Sequence, residues 1–211
     1  MSLLLDVNHA LSQYLPQNIH SCDFIESIPS SNTSIILPNW TCNDLNYTIF
    51  DFSRFTNVES IEIGDDSFYS VQTFRIDGLN KLQTLKIGVR SFSISKATHD
   101  NMFYYDGPVK SFHILNCGSL ISIEIGPDSF AEFGGEFELL NLPLLQSIRF
   151  DNRFGNEQYD SFYDSPFILR GILKDILLLL DLPSLQSIEL RTAAFSNTTT
   201  IIMENKDIKN R

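Results

Sequence analysis

The stretch VESIEIGDDSF (58–68) decides the fold, because its pattern returns four more times along this 211-residue chain. Every copy follows the pattern L-x-x-I-x-I-x-x-x-x-F, with apolar residues at the first, fourth, sixth and last positions. The fourth and sixth positions alternate like one face of a β-strand, and Gly or another turn residue follows them. The other copies are LQTLKIGVRSF (82–92), LISIEIGPDSF (120–130), LQSIRFDNRF (145–154), which is one residue shorter, and LQSIELRTAAF (185–195).

A second apolar pair precedes each copy at a fixed distance. Its first member lies eight residues before the opening apolar residue: Phe50, Phe74, Phe112, Phe137 and Leu177. Its second member lies two residues further on: Phe52, Ile76, Ile114, Leu139 and Leu179. Two residues later come Arg54, Gly78, Asn116, Asn141 and Asp181, of which all but Arg54 are turn formers. Each unit is therefore predicted to hold two short strands joined by a corner, and IIMEN (201–205) begins a sixth strand of this second kind.

Units of this size cannot bury an apolar face alone, so they must stack into a solenoid. On these repeats, residues 45–204 resemble the leucine-rich repeat family, in the surface-antigen type found in bacteria and protists. The resemblance implies a mainly β, right-handed solenoid with two short parallel strands per coil. One departure from the family pattern concerns the usual Asn, whose place is taken by Asp66, Arg90, Asp128, Arg153 and Ala193. We therefore expect no Asn ladder at that corner.

The remaining segments complete one structural domain. Residues 1–44 are predicted to form an N-terminal cap, with an amphipathic helix from Leu3 to Leu15 ended by Pro16 and an irregular segment after it. Residues 205–211 form a polar tail. The first residues lack the pattern of a signal peptide, and no stretch approaches the ~20 apolar residues of a membrane span. We therefore expect a cytoplasmic protein without a membrane partner, the alternative being the cell surface or secretion.

The three cysteines and the glycosylation sequons do not change this expectation. Cys22, Cys42 and Cys117 have the spacing of neither a disulfide framework nor a zinc motif, and we expect reduced, mostly buried thiols. Pairing of Cys22 with Cys42 in the cap is the alternative for a secreted protein. Asn-x-Ser/Thr sequons occur at Asn32, Asn39, Asn46 and Asn197, which is close to the number expected by chance.

Two positions of the first strand point away from the core and form one face of the predicted solenoid. The third position of the pattern is Ser60, Thr84, Ser122, Ser147 and Ser187, and the fifth is Glu62, Lys86, Glu124, Arg149 and Glu189. If the units stack in register, charges of opposite sign become neighbours about 4.8 Å apart. Such alternation disfavours a slipped register, because like charges would then meet. The face has no aromatic residues and is predicted to be a solvated surface.

Two insertions interrupt the repeat at equivalent places. The opening apolar residues are spaced by 24, 38, 25 and 40 residues, so long units alternate with short ones. The insertions are SISKATHDNMFYYDGP (93–108) and GNEQYDSFYDSPFILRGILKD (155–175), which share the related pentapeptides YYDGP and FYDSP. Aromatic loops on a rigid scaffold are typical of binding surfaces. The candidate protein-binding residues are Met102, Phe103, Tyr104, Tyr105, Asp106, Tyr159, Asp160, Phe162, Tyr163 and Asp164. The other interpretation is that these aromatics fold back and close the widened coils.

Composition and motifs narrow the function classes. The formal net charge of −11 argues against a nucleic-acid partner, since phosphate binding needs clustered Lys and Arg. No phosphate loop, dinucleotide motif or nucleophile elbow occurs, and the four histidines lack metal-ligand spacing. The prediction is a non-enzymatic module, without cofactor or metal, that binds a protein partner through the two insertions. The alternatives are a structural or self-assembling repeat protein that associates through its C-terminal coil, and, less favoured, an enzyme.

Overall fold

A computed structural model describes residues 22–93, 110–127, 129–130, 133, 136–150, 176–190 and 200–204. These residues form one short helix and twelve β-strands. The helix is α1 (Asp23–Ser27), and the strands are β1 (Ser34–Leu37), β2 (Ile49–Asp51), β3 (Ser60–Ile63), β4 (Thr73–Asp77), β5 (Thr84–Ile87), β6 (Ser111–Leu115), β7 (Ser122–Ile125), β8 (Glu136–Leu140), β9 (Ser147–Phe150), β10 (Ile176–Leu180), β11 (Ser187–Leu190) and β12 (Thr200–Glu204).

The strands alternate between two parallel six-stranded sheets. The odd-numbered strands form sheet A in the order β1-β3-β5-β7-β9-β11, and the even-numbered strands form sheet B in the order β12-β10-β8-β6-β4-β2. Successive strands of one sheet are therefore neighbours, as stacked two-strand units require. The prediction of two short parallel strands per unit is confirmed, and β12 is the predicted sixth strand of the second kind.

The register of sheet A is the one predicted from the sequence. Ser60 pairs with Thr84, and the same row continues through Ser122, Ser147 and Ser187. In the second row Glu62 pairs with Lys86, and their side chains form an ion pair of 2.9 Å. Both side chains are about half exposed, so the pair contributes only about 0–1 kcal/mol to stability. The alternating charges specify the register more than they stabilise the sheet.

The core between the sheets contains two columns of stacked phenylalanine rings. In the first column Phe92 stacks on Phe68 and Phe130, with ring centroids 5.0 and 4.6 Å apart. The second column consists of Phe50, Phe74, Phe112 and Phe137, stacked at 4.6–4.7 Å. Rings of one column meet rings of the other edge-on at 5.0–5.4 Å. Phe68, Phe92 and Phe130, the last residues of the first three copies of the repeat pattern, thus form a buried column, while Phe154 and Phe195 lie outside the described residues.

The phenylalanines of the first column occupy an unusual backbone conformation. Phe68, Phe92 and Phe130 all have φ near +60°, a left-handed conformation that bulky side chains rarely adopt. This conformation costs roughly 1–2 kcal/mol per residue. Truncation of a buried Phe to Ala costs about 3–5 kcal/mol, so burial of the ring outweighs the strain.

Buried hydroxyls and glycines support this corner. Ser91 accepts a hydrogen bond from the Ser67 N–H (3.2 Å) and donates its hydroxyl to the Gly64 carbonyl (2.7 Å). Ser129 makes the equivalent bonds to the Ser91 N–H (3.1 Å) and the Gly88 carbonyl (2.6 Å). A Cβ placed on Gly88 would lie 2.7 Å from the backbone of Gly64, so only glycine permits this close stacking. The Ser before each Phe is therefore a structural part of the repeat.

A different ladder forms at the opposite corner, where the chain leaves sheet B. Gly78, Asn116, Asn141 and Asp181 all have positive φ, as expected for turn formers. The Asn141 side-chain amide donates to Asn116 Oδ1 (3.0 Å), and the Asn116 amide donates to Asp77 Oδ1 (2.9 Å). The chain thus has an Asn ladder at the corner that follows sheet B. At the corner that follows sheet A, Asp66 and Arg90 stand in place of Asn and form an ion pair of 2.6 Å.

The N-terminal unit belongs to the same repeat. Ile35 and Ile61 are register partners on β1 and β3. Thr41 and Cys42 occupy the positions equivalent to Ser67 and Phe68. The Thr41 N–H accordingly donates to Ser67 Oγ. Strand β1 therefore lies inside the segment assigned to the cap. The repeat pattern does not predict this unit, because Asn32 stands in place of the apolar first residue and Cys42 in place of the Phe.

Cys22 and Cys42 form a disulfide bond, so the expectation of reduced thiols at both positions is wrong. Cys42 is fully buried where the first phenylalanine column ends, and Cys22 brings helix α1 to that end. Cys117 is a free, buried thiol, as expected. Burial raises the pKa of Cys117 to about 11, which keeps it protonated and unreactive near neutral pH. The predicted helix from Leu3 to Leu15 and the tail lie outside the described residues.

Candidate functional site

The predicted binding residues lie outside the described part of the chain, but the strands that flank each insertion are described. All ten candidates, from Met102 to Asp164, fall within 94–109 or 151–175. The first insertion belongs to the connection from β5 to β6, and the second to the connection from β9 to β10. Both connections lead from sheet A to sheet B.

The sheet order fixes the relation between the two insertions. Only β7 lies between β5 and β9 in sheet A, and only β8 lies between β6 and β10 in sheet B. Two strand spacings of a parallel sheet amount to about 10 Å. All connections from sheet A to sheet B start at the same side of the sheets, which we call the A-to-B edge. The strands that flank the two insertions are therefore close together along this edge.

The first insertion is attached through buried residues. Ser93 and Lys110 are its last described residues before and after 94–109, and both are almost completely buried. The Lys110 ammonium lies 5.4 Å from the centroid of the Phe133 ring, which provides a cation–π contact. Phe92, directly before Ser93, is part of the first phenylalanine column. The insertion is thus attached to the core at both ends.

An aromatic pair joins the first two connections of the A-to-B edge, with Trp40 between β1 and β2 and Tyr69 between β3 and β4. Trp40, the single tryptophan of the chain, is half exposed, with a φ of 65°. Its ring meets the Tyr69 ring edge-on, with centroids 6.4 Å apart. The Trp40 N–H donates to the Asp65 carbonyl at 2.8 Å, so the backbone that presents the indole is fixed. The sequence motif of the repeat did not reveal Trp40, because at that position the other units have Asp66 and Arg90.

An open cleft lies between helix α1 and the segment 44–54. Its volume is about 580 Å³, and its lining includes the carboxylates of Asp23, Glu26, Asp44 and Asp51. Arg54 is the cation of this lining, and its guanidinium donates to the Ile25 carbonyl and lies 4.2 Å above the Phe55 ring. The cleft is therefore acidic, and its one guanidinium is engaged with the wall.

Tyr47 lies in this cleft as a protonated phenol. Burial, reinforced by the neighbouring charge of Asp51, raises the pKa of Tyr47 to about 12. A phenol with this pKa is a hydrogen-bonding group, not a base, near neutral pH. The ring packs against Phe68 with centroids 5.9 Å apart, and so helps to cover the end of the first phenylalanine column.

Comparison with known proteins adds no assignment. No protein-family model, curated protein or solved structure matches this chain. In the described residues no helix is long and apolar enough to cross a membrane.

Proposed function

We propose that the chain is a leucine-rich-repeat-like solenoid that binds a protein partner, without catalysis, through its A-to-B edge. Stacked parallel sheets supply the rigid scaffold that such binding requires. The observation that carries the proposal is the half-exposed Trp40, in contact with the partly buried Tyr69, on the edge that also carries both insertions. Tryptophan and tyrosine are the residues most enriched at the energetic centres of protein interfaces.

The outer face of sheet A offers a useful contrast. Its described rows consist mainly of Ser, Thr and paired charges, and Lys86 and Glu62 satisfy each other. Exposed ion pairs of this kind contribute little to affinity. The partner is therefore assigned to the edge and not to this face.

Variants of the edge and of the face test the proposal. Cross-linking and mass spectrometry on cells of the source organism identify candidate partners, and each purified candidate is titrated against the chain. We expect a loss of at least tenfold in affinity for Trp40→Ala with Tyr69→Ala, and a similar loss when 94–107 is replaced by a short Gly-Ser linker. The matched control is Glu62→Ala with Lys86→Ala, which should bind like the unmodified chain. Unchanged binding by both edge variants, with loss in the control, contradicts the proposal.

The disulfide supports an oxidising compartment for this function. Structural disulfides form and persist at the cell surface or after secretion, and they are rare in the cytoplasm. The Cys22–Cys42 bond therefore favours the cell-surface or secreted alternative over the cytoplasmic one. Thiol trapping of the chain directly after lysis of its native cells tests this, because a cytoplasmic protein would react at all three cysteines once unfolded.

Self-association is a second candidate function, supported by the strand edges at the C-terminal end. Within the described residues β11 and β12 are the last strands of sheets A and B. Edge strands with unpaired backbone groups invite pairing with further chain or a second copy. Mass measurement by light scattering across a wide concentration range tests this: association should be lost on deletion of 200–211, and a monomer at all concentrations excludes it.

A further inference from the structure

The outer face of sheet B brings together three side chains with metal-ligand chemistry. They are His113 on β6 and Glu136 and Glu138 on β8. One ligand atom of each lies within 4.8 Å of the other two. We propose that these residues bind a divalent transition-metal ion of the Zn²⁺ type.

The strand register holds the three residues on one face. His113 and Glu138 are register partners on adjacent parallel strands, so their side chains start side by side. Glu136 precedes Glu138 by two residues and therefore points to the same side of the sheet. The ligand positions are thus fixed by paired backbone and not by a loop.

The distances require little rearrangement for a metal ion. His113 Nδ1 lies 3.0 Å from Glu138 Oε2. In a tetrahedral zinc site with bonds of about 2.0–2.1 Å, ligand atoms are about 3.3 Å apart. An ion can therefore replace the proton shared by His113 and Glu138. Glu136 must approach by at most about 1.5 Å to reach that separation, a small rotation for an exposed side chain.

The local charge also favours a cation. The cluster contains two carboxylates and one imidazole. Within the described residues, the Glu136 carboxylate has no hydrogen-bond or ion-pair partner. The nearest cation in the same row is Arg75, the register partner of His113 on β4, and it is engaged by Asp77 at 2.6 Å. A divalent ion would neutralise the two carboxylates without displacing the Arg75–Asp77 ion pair.

The donor set selects the kind of metal. One imidazole nitrogen with carboxylate oxygens suits zinc and neighbouring transition metals, whereas Ca²⁺ and Mg²⁺ prefer sites made entirely of oxygen. Three protein ligands leave a fourth position for water or for a donor from a partner. The bound ion would join β6 to β8. These strands begin at Ser111 and Glu136, where the connections from sheet A enter sheet B. The spacing of these residues along the sequence does not indicate a site, because His113 and Glu138 become neighbours only when β6 pairs with β8.

Titration of the untagged, metal-free, disulfide-bonded chain with Zn²⁺ tests the site. We expect one saturable site by calorimetry, a higher melting temperature with Zn²⁺, and visible absorption typical of low-coordinate Co²⁺ when cobalt is used. Mg²⁺ should produce none of these effects. Absence of saturable Zn²⁺ binding overturns the proposal.

Three kinds of variant separate this site from other metal-binding groups. His113→Gln and Glu136→Gln should each weaken Zn²⁺ binding by at least tenfold, as expected when a ligand is removed. Glu136 is exposed, so its variant should keep the fold even if His113→Gln does not. Glu62→Gln is the matched control, an outward strand carboxylate of sheet A, and should bind normally. Replacement of His9, His20 and His99 together by Gln should also leave binding intact; if this triple variant loses the site while His113→Gln keeps it, the proposal is wrong.

Discussion

The two edges at which the chain passes between the sheets differ in how much the length of their connections varies. From sheet B to sheet A, the connections 78–83, 116–121, 141–146 and 181–186 all have six residues, and 52–59 has eight. From sheet A to sheet B, the connections range from nine residues in 64–72 to twenty-five in 151–175. One edge is uniform and the other varies, although both join the same stacked strands.

The hydrogen bonds explain why the uniform edge cannot vary. Leu142 and Leu145 are fully buried within one six-residue connection, and the Asn141 N–H donates to the Leu180 carbonyl of the next unit. The Leu142 N–H also donates to the Asp181 carbonyl, and the Gln146 N–H donates to the Ile121 carbonyl of the preceding unit, so an extra residue would shift both leucines. At the A-to-B edge the buried Ser91 and Phe92 follow the last residue of β5 by four and five residues, and the first insertion comes after them. Insertions are therefore tolerated there, and exposed aromatics can collect there.

The largest expected effect comes from inserting Gly-Ser-Gly into each edge. Placed between Leu142 and Pro143, the insertion displaces buried leucines worth about 2–5 kcal/mol each, so a loss of about 4 kcal/mol or more in the free energy of unfolding is expected. The same insertion between Thr98 and His99 should cost less than about 1 kcal/mol, because doubling a loop costs only about 0.6 kcal/mol. Urea unfolding measures both. Equal losses would show that the two edges do not differ.

Phe130→Ala tests whether the core attaches the A-to-B edge. The Phe130 ring stacks on Phe92 and meets Phe74, Phe112 and Phe133 edge-on. Its removal should lower the free energy of unfolding by about 3–5 kcal/mol. Phe130→Leu, which keeps much of the apolar volume, should cost clearly less. A melting temperature that does not change in Phe130→Ala would contradict the stacked columns.

The disulfide tests the N-terminal end of the same edge, where Cys42 replaces a phenylalanine. Opening the covalent loop between cysteines that are 20 positions apart in the sequence should cost about 3 kcal/mol. The measurement is urea unfolding of the unmodified chain with and without reductant. Cys117→Ala is the control and should retain the whole effect of reductant, since Cys117 is not part of the bond. No response to reductant in either protein would contradict a structural disulfide.

The smallest expected effects compare the two polar ladders. Ser91→Ala leaves the buried Ser67 N–H and Gly64 carbonyl without their hydroxyl partner and should cost about 1–3 kcal/mol. Asn141→Gly keeps the positive φ but removes an exposed bond to Asn116, so it should cost about 0.5–1.5 kcal/mol or less. Thermal unfolding of the two variants ranks the ladders. A larger loss for Asn141→Gly would reverse the comparison between the buried and the exposed corner.

The repeat pattern of the sequence predicted the strands β2 to β12, the pairing of equivalent strands and the phenylalanine core. Three patterns were sufficient: the period of two within SIEI or TLKI, the recurring Phe, and the fixed offset of eight residues between the second apolar pair and the opening apolar residue. They are sufficient because every repeat unit packs against units of the same kind. The register of sheet A followed from the alternating charges at Glu62 and Lys86, and the place of the insertions followed from the spacing of the repeats.

Other features depend on the tertiary structure, because they bring together residues that are far apart in the chain and share no local sequence pattern. The Cys22–Cys42 bond and the pairing of β1 through Ile35 lie in the first unit, where the repeat motif is replaced at its key positions. The Trp40–Tyr69 contact joins that unit to the next. His113 and Glu138 are separated by 25 residues and become neighbours because β6 and β8 pair. Side-chain chemistry at one position is local and can be read along the chain. A site made from adjacent strands depends on which strands pair and in which register, and the sheet supplies that information.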